Sequence, residues 1–210
     1  LKMVLLALFG AVMGQGVVWY TGQFYAQTFL ENVCRIDFGQ TRTILIWAIL
    51  LATPFFIVFG HWSDKAGRKW IMMAGMLLAV ICYRPIYQQM LSVSDLRDKT
   101  IVPALTTMDR NIIPVKGQEY SLVNMTTQVH FDNGIIEKEL RKDTLFKADE
   151  HTGIGVGKKS KVVPQNIYWQ LVLLLFIQIM FVTMVYGPIA AFLVELFPTR
   201  IRYTSMSLPY

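Results

Sequence analysis

The chain has 210 residues, of which 54% are hydrophobic and only 16% are charged. Soluble globular domains average about 45–50% apolar and about 25% charged residues, so this composition argues against an ordinary cytosolic enzyme and against a disordered chain. The formal net charge of +6 does not indicate nucleic-acid binding, because the basic residues are scattered, and two distant cysteines exclude a disulfide-dense scaffold and a Cys-rich zinc module.

Apolar blocks that are long enough to cross a bilayer dominate the sequence. Three of them fall within residues 1–91, at about 3–31, 42–60 and 69–91, and a fourth covers about 166–196, followed by the start of a further helix. A span needs about 20 predominantly apolar residues. The first block is too long for a signal peptide and is not followed by a small-residue cleavage site. We therefore predict an all-α membrane protein built as a transmembrane helix bundle.

The first block carries a polar stripe. Gln15, Trp19, Gln23 and Gln27 recur at every fourth position and so share one side of a helix. Amides and aromatic rings on an apolar span suit the binding of a small polar solute. Hydrogen bonding between helices would explain the same stripe, and the pattern leaves both interpretations open.

A charged run, GHWSDKAGRK at 60–69, follows the second block. Its notable residues are Gly60, Asp64, Lys65, Gly67, Arg68 and Lys69. We expect Gly60 to let the helix end and Ser63 or Asp64 to cap the next helix. Arg68 offers a forked guanidinium for a carboxylate. A generic basic turn is the alternative interpretation.

Arg84 lies within the third block, about 21 Å along the helix from Trp70 at 1.5 Å per residue. It would either extend outward beside Tyr83 and Tyr87 or face a central cavity and bind a carboxylate.

Residues 92–165, called the insert below, differ sharply from the rest of the chain. They carry 11 Lys and Arg and 10 Asp and Glu, with strand-like runs at 100–106, 111–115, 120–131 and 134–140. Turn signals occur at 132–134 and in the glycine-rich run 153–157. The alternation in 120–131 favours a small β-rich domain over a disordered linker.

The fourth block brings further polar residues. Gln178 and Tyr186 share a helix face and are weaker candidates for a cavity lining. Glu195 lies about one turn inside the end of the block, with Arg200 and Arg202 beyond it. These charges could form an ion-pair cluster with the 60–69 turn, or they could be surface charges of little energetic value.

The short connections predict the orientation in the membrane. Six Lys and Arg (residues 2, 65, 68, 69, 200 and 202) lie on one side of the bilayer, and two (residues 35 and 42) lie in the other short loop. Because Lys and Arg are enriched in short cytoplasmic loops, we predict that the 60–69 turn is cytoplasmic and the insert extracytoplasmic.

Two motifs resemble a known family. The run at 60–69 resembles the G-x-x-x-D-[RK]-x-G-R-[RK] signature of the major facilitator superfamily, although Trp62 stands where that family usually has a smaller aliphatic residue. The run YGPIAAFLVELFPTRIRYT at 186–204 resembles a stretch of the metabolite–proton symporter family. The resemblance implies the seventh to tenth helices of a twelve-helix transporter, hence a C-terminal half fragment. It also implies a conformational latch at the residues of the 60–69 turn with Glu195, Arg200 and Arg202. The insert is not part of the family pattern.

On this resemblance we expect proton-coupled symport of a small polar or anionic metabolite by alternating access. The expected partners are the solute, protons, the lipid bilayer and the missing N-terminal half of the same transporter, with no nucleic acid. The expected location is the bacterial inner (plasma) membrane, as a multi-pass protein. The sequence shows no catalytic or cofactor motif, so we expect neither an enzyme nor a cofactor or metal. The alternatives are a sugar-porter-like facilitator and a non-transporting receptor with a ligand-binding insert.

Overall fold

The structure is a computed structural model that describes residues 2–114, 120–146, 152–153 and 157–197. Four long helices and a small antiparallel sheet make up this part of the chain. Each apolar helix is 26 to 32 residues long, which exceeds the about 20 residues of a bilayer span. By length and composition all four could therefore cross a membrane, as the apolar blocks predict.

Helix α1 runs from Lys2 to Val33 and alternates between two helix types. Its α-helical segments are Lys2–Ala7, Met13–Trp19 and Ala26–Thr28, and its π-helical segments are Leu8–Val12, Tyr20–Tyr25 and Phe29–Val33. π-Helical turns are rare and are frequently found at functional sites. A π turn contains more residues than an α turn. Side chains four positions apart along α1 therefore stay closer to one side of the helix than they would in a regular α-helix.

Helices α2 (Phe38–Ala66) and α3 (Arg68–Val93) are separated by one residue, Gly67. Gly67 has φ 93°, a left-handed conformation that glycine adopts at no steric cost. A side chain with a Cβ would be strained there, which is why the sharp reversal falls on this glycine.

This turn corrects two expectations. Helix α2 does not end at Gly60 but continues to Ala66, and the Ser63 hydroxyl donates to the Gly60 carbonyl at 2.6 Å. Neither Ser63 nor Asp64 caps α3, because both still belong to α2 and Gly67 itself occupies the cap position. The left-handed glycine, rather than the first glycine of the run, therefore sets the end of the helix.

Helix α4 (Gln165–Leu196) is the central element of the bundle. In its most apolar 18-residue window 61% of residues are buried, against 22–28% in the other three helices. It continues through Pro188, and Gly187 allows close packing on α2: a Cβ at that position would lie 3.3 Å from the Phe56 carbonyl oxygen. Large apolar side chains of the outer helices, such as Ile57 and Val80, are exposed, which is compatible with a surface in contact with lipid.

The insert is β-rich, as predicted, and its strands form an antiparallel sheet. Strands β1 (Thr107–Pro114), β2 (Tyr120–His130) and β3 (Ile136–Phe146) are consecutive neighbours. Strands β4 (Thr152–Gly153) and β5 (Lys158–Val162) both pair with β3.

The loops of the insert confirm one turn prediction and correct one strand prediction. The signal at 132–134 is a turn, with Gly134 at φ 80° and the Asn133 side chain accepting from the Ile135 amide at 3.1 Å. The run at 100–106 is not a strand: Pro103–Leu105 form a 3₁₀ turn, which suits a proline that lacks an amide hydrogen. Most of the glycine run 153–157 lies outside the described residues.

Candidate functional site

A cavity of about 660 Å³, wide open to the surface, lies against α1. Its lining comes from α1 and from one residue of α4: Val12, Met13, Gln15, Gly16, Val17, Trp19, Tyr20 and Tyr186. The polar groups on this wall are one amide, one indole and two phenols. Among these described lining residues none is charged, so the wall suits a polar solute that it contacts through hydrogen bonds and aromatic rings.

Gln15 is the lining residue whose hydrogen bonding is incomplete. Its side chain is only 6% exposed, and within the described residues its Oε1 atom has no hydrogen-bond partner. Leaving a buried acceptor without a donor costs about 1–3 kcal/mol. This oxygen is closed off from solvent in the structure, so a solute N–H or O–H would reach it only after a shift of the side chains around it. Because Gln15 lines the cavity and carries an acceptor left for such a contact, it is the strongest candidate for a solute contact.

Trp19 and Tyr186 form the aromatic part of the wall. Their ring centroids are 6.0 Å apart, and the Trp19 indole donates to Gln23 Oε1 at 2.8 Å. Gln23 is not among the described residues that line the cavity. Its hydrogen bond with the indole nitrogen holds the plane of the Trp19 ring in one orientation.

The other predicted solute contacts lie elsewhere. Gln27 donates to Glu31 at 3.1 Å near the end of α1, and Arg84 is exposed on α3. Gln178 is fully buried on α4, where its side chain faces the Tyr87 hydroxyl. None of these three side chains lines the cavity. Of the predicted set, the structure brings together Gln15, Trp19 and Tyr186.

Two tyrosines of α3 were not predicted as part of this region. The Tyr83 hydroxyl donates to the Val18 carbonyl at 2.9 Å, and the Tyr87 hydroxyl donates to the Thr21 carbonyl at 2.6 Å. One bond reaches α1 just before its π segment Tyr20–Tyr25 and the other just inside it, so they link α3 to the helix that carries the cavity wall. Their spacing of four residues is the sequence signal that could have indicated a shared, inward-facing side.

Arg68 joins two carboxylates at the opposite end of the bundle from the insert. Its guanidinium lies 3.0 Å from Asp64 and 2.7 Å from Glu195, near the end of α4. The Arg68 side chain is 24% exposed, while those of Asp64 and Glu195 are 56% and 63% exposed. With Ser63 and Gly67, these residues line a polar pocket of about 300 Å³. The structure thus joins the two sequence runs through one arginine.

The remaining residues of the predicted latch take other positions. Lys65 and Lys69 are exposed, and neither forms an ion pair with the rest of the described chain. Gly60 lies at the α2–α4 contact, its amide nitrogen 3.4 Å from where a Gly187 Cβ would be. Arg200 and Arg202 lie outside the described residues.

Comparison with protein-family models, curated proteins and solved structures gave no match for this chain. Over the described residues, no group of three or more His, Cys, Asp or Glu side chains could hold a metal ion. The function is therefore inferred from the cavity, the Arg68 cluster and the two motifs that carry the family resemblance.

Proposed function

We propose that the chain belongs to a secondary active transporter of the major facilitator type, in the metabolite–proton symporter group. It moves a small polar or anionic metabolite by alternating access. The observation that supports this most is the Arg68 bridge, because it joins Asp64 in the first family-like run to Glu195 in the second. Two sequence runs, each of which resembles the same family, are thus in contact through one arginine.

The exposure of this bridge suits a reversible contact. Ion pairs with solvent-exposed partners contribute about 0–1 kcal/mol, because water and salt screen them. Such a contact can form in one state and break in the other without trapping the protein in either. The Arg68–Glu195 pair is the part that connects the turn to α4, so it is the part that a movement of α4 would change.

The cavity supports a polar solute. Gln15 offers an unsatisfied acceptor, and Trp19 and Tyr186 offer apolar surface with polar edges. On this proposal the proton-accepting group and the other half of the solute site lie in the preceding half of the transporter, and the insert faces the outside.

The test is uptake by the complete transporter in proteoliposomes. Labelled organic acids, zwitterions and neutral sugars are offered with and without an inward proton gradient. We expect uptake of an acid or zwitterion that the gradient accelerates. Gln15→Ala should reduce that uptake, whereas Gln170→Ala, at an exposed position of α4, should leave it unchanged. Absence of uptake for all three classes would overturn the proposal.

A sugar-porter-like facilitator is the second candidate. The observation that favours it is the lack of a charged group among the described lining residues of the cavity. Uptake of a neutral sugar at a rate independent of the proton gradient would support this candidate instead.

A further inference from the structure

Strand β5 of the insert contacts the neighbouring ends of the helices through one residue, Lys161. The Lys161 amide donates to the Arg35 carbonyl at 2.6 Å, and its carbonyl accepts from the Asp37 amide at 2.8 Å. Arg35 follows the end of α1, and Asp37 is the N-cap residue of α2. The two bonds flank Ile36, and Arg35 just before it has φ 58°, which is uncommon for a residue with a side chain.

The side chain of Lys161 reaches a third helix. Its ammonium donates to the Ser94 carbonyl at 2.7 Å, and Ser94 is the C-cap residue of α3. A cation at the C-terminal end of a helix is stabilised by the partial negative charge there. Burial lowers the pKa of this ammonium, whereas the nearby carboxylates of Glu137 and Asp95 act in the opposite direction.

The residues that follow β5 reach α2 and α4. The Gln40 side chain of α2 accepts from the Val163 amide at 2.8 Å and donates to the Val163 carbonyl at 3.0 Å. Pro164 is then the N-cap residue of α4. A segment of four residues thus has polar contacts with the ends of α1, α2 and α3 and runs directly into α4.

An apolar layer beneath these contacts belongs to the same core as the helices. Its residues come from the α1–α2 connection, from α3 and from the insert, and each is at most 4% exposed: Cys34, Ile36, Met90, Ile135 and Val163. The base of the insert therefore packs as part of the bundle and is not a domain attached only by its two connections.

We propose that residues 161–164, which run from the end of β5 to α4, form a clamp that fixes the four helix ends on the insert side, so that these helices can move relative to one another only at their opposite ends. The second part of this inference rests on the proposed transport function. It agrees with the position of the Arg68 bridge, since that partly exposed contact lies at the end of the bundle that the clamp leaves free.

The native cysteines provide the measurement. Cys34 is fully buried at the clamp, and burial raises the pKa of its thiol, which keeps the reactive thiolate scarce while the clamp is closed. In the complete protein in nanodiscs, with Cys82 replaced by Ser, the rate of reaction of Cys34 with N-ethylmaleimide reports opening of this joint.

Three variants test the clamp in the resting protein. Lys161→Met should raise the Cys34 reaction rate about tenfold or more, because it removes the bond to Ser94, whereas Lys161→Arg should largely restore protection. Lys159→Met is the matched control on the same strand: Lys159 is 45% exposed and pairs only with Glu139 among the contacts described for it, so its removal should leave the rate unchanged. Equal rates in Lys161→Met and wild type would overturn the clamp.

Two further measurements separate local opening from other outcomes. With Cys34 replaced by Ser, the rate at Cys82 should be the same with and without Lys161→Met; a parallel rise would mean general unfolding and would overturn the clamp. During solute turnover the Cys34 rate should stay at its resting value, and an increase would mean that the insert is a moving lid. If no solute is transported, the proposed function fails, while the resting rates still decide whether the clamp exists.

Discussion

Removing the Glu195 carboxylate should shift the conformational equilibrium of the transporter by a predictable amount. Glu195→Gln keeps the size of the side chain and removes the ion pair with Arg68, whose atoms are 2.7 Å apart. In bulk water two unit charges at that distance interact by about 1.5 kcal/mol. Because the Glu195 side chain is 63% exposed, screening and side-chain entropy reduce this to about 1 kcal/mol or less. We therefore expect a change of at most about fivefold in the ratio of the two states.

The coupling between the two residues is the sharper quantity. Glu195→Gln, Arg68→Gln and the double variant form a cycle that isolates the pairwise term. The state populations can be measured in the complete transporter from the distance between spin labels at the ends of the helices away from the insert. We expect the effects of the two single variants to be non-additive by about 1 kcal/mol at low salt and by less at high salt.

Two controls decide whether this reasoning holds. Lys65→Gln removes a neighbouring exposed charge that has no ion pair in the described structure, and it should leave the populations unchanged. Asp64→Asn should slow transport far more than it weakens solute binding, because it loosens the guanidinium without touching the cavity. Additive effects of the Arg68 and Glu195 variants even at low salt would refute a state-dependent bridge.

Three other outcomes can be checked in the complete protein. Single cysteines at positions 66 and 138, in a background without Cys34 and Cys82, should differ in their labelling by an impermeant thiol reagent in intact cells. We expect the reagent to label position 138 only. Labelling of position 66 alone would reverse the predicted orientation. Arg84→Gln should change solute affinity little, since the side chain is exposed and does not line the cavity; a loss of about 2–5 kcal/mol in binding would show that it contacts the solute as a buried charge partner. Tyr87→Phe removes the donor to the Thr21 carbonyl and should lower the unfolding free energy by about 0.5–1.5 kcal/mol. The shift of the unfolding midpoint measures this loss, and an unchanged midpoint would mean that the bond makes no net contribution to stability.

The sequence by itself determined the elements whose causes are local. Four apolar blocks predict four long helices, because the length and apolarity needed to span a bilayer are properties of a continuous segment. The alternation in 120–131 predicts strand β2, and Asp-Asn-Gly predicts the turn that follows it, because residue period and turn chemistry are also local. The charged runs around Arg68 and Glu195 could be recognised individually for the same reason.

Only the tertiary structure decided which side chains meet. A stripe at every fourth position defines one side of α1, but it cannot show that the Trp19 indole donates to Gln23 while Gln15 Oε1 has no partner among the described residues. The sequence likewise does not show that α2 continues past Gly60 to Gly67, or that Lys161 joins the ends of three helices. Each of these outcomes depends on which segments of the chain pack against one another. A sequence pattern indicates the period of a segment, but it does not identify the segment's neighbour in space.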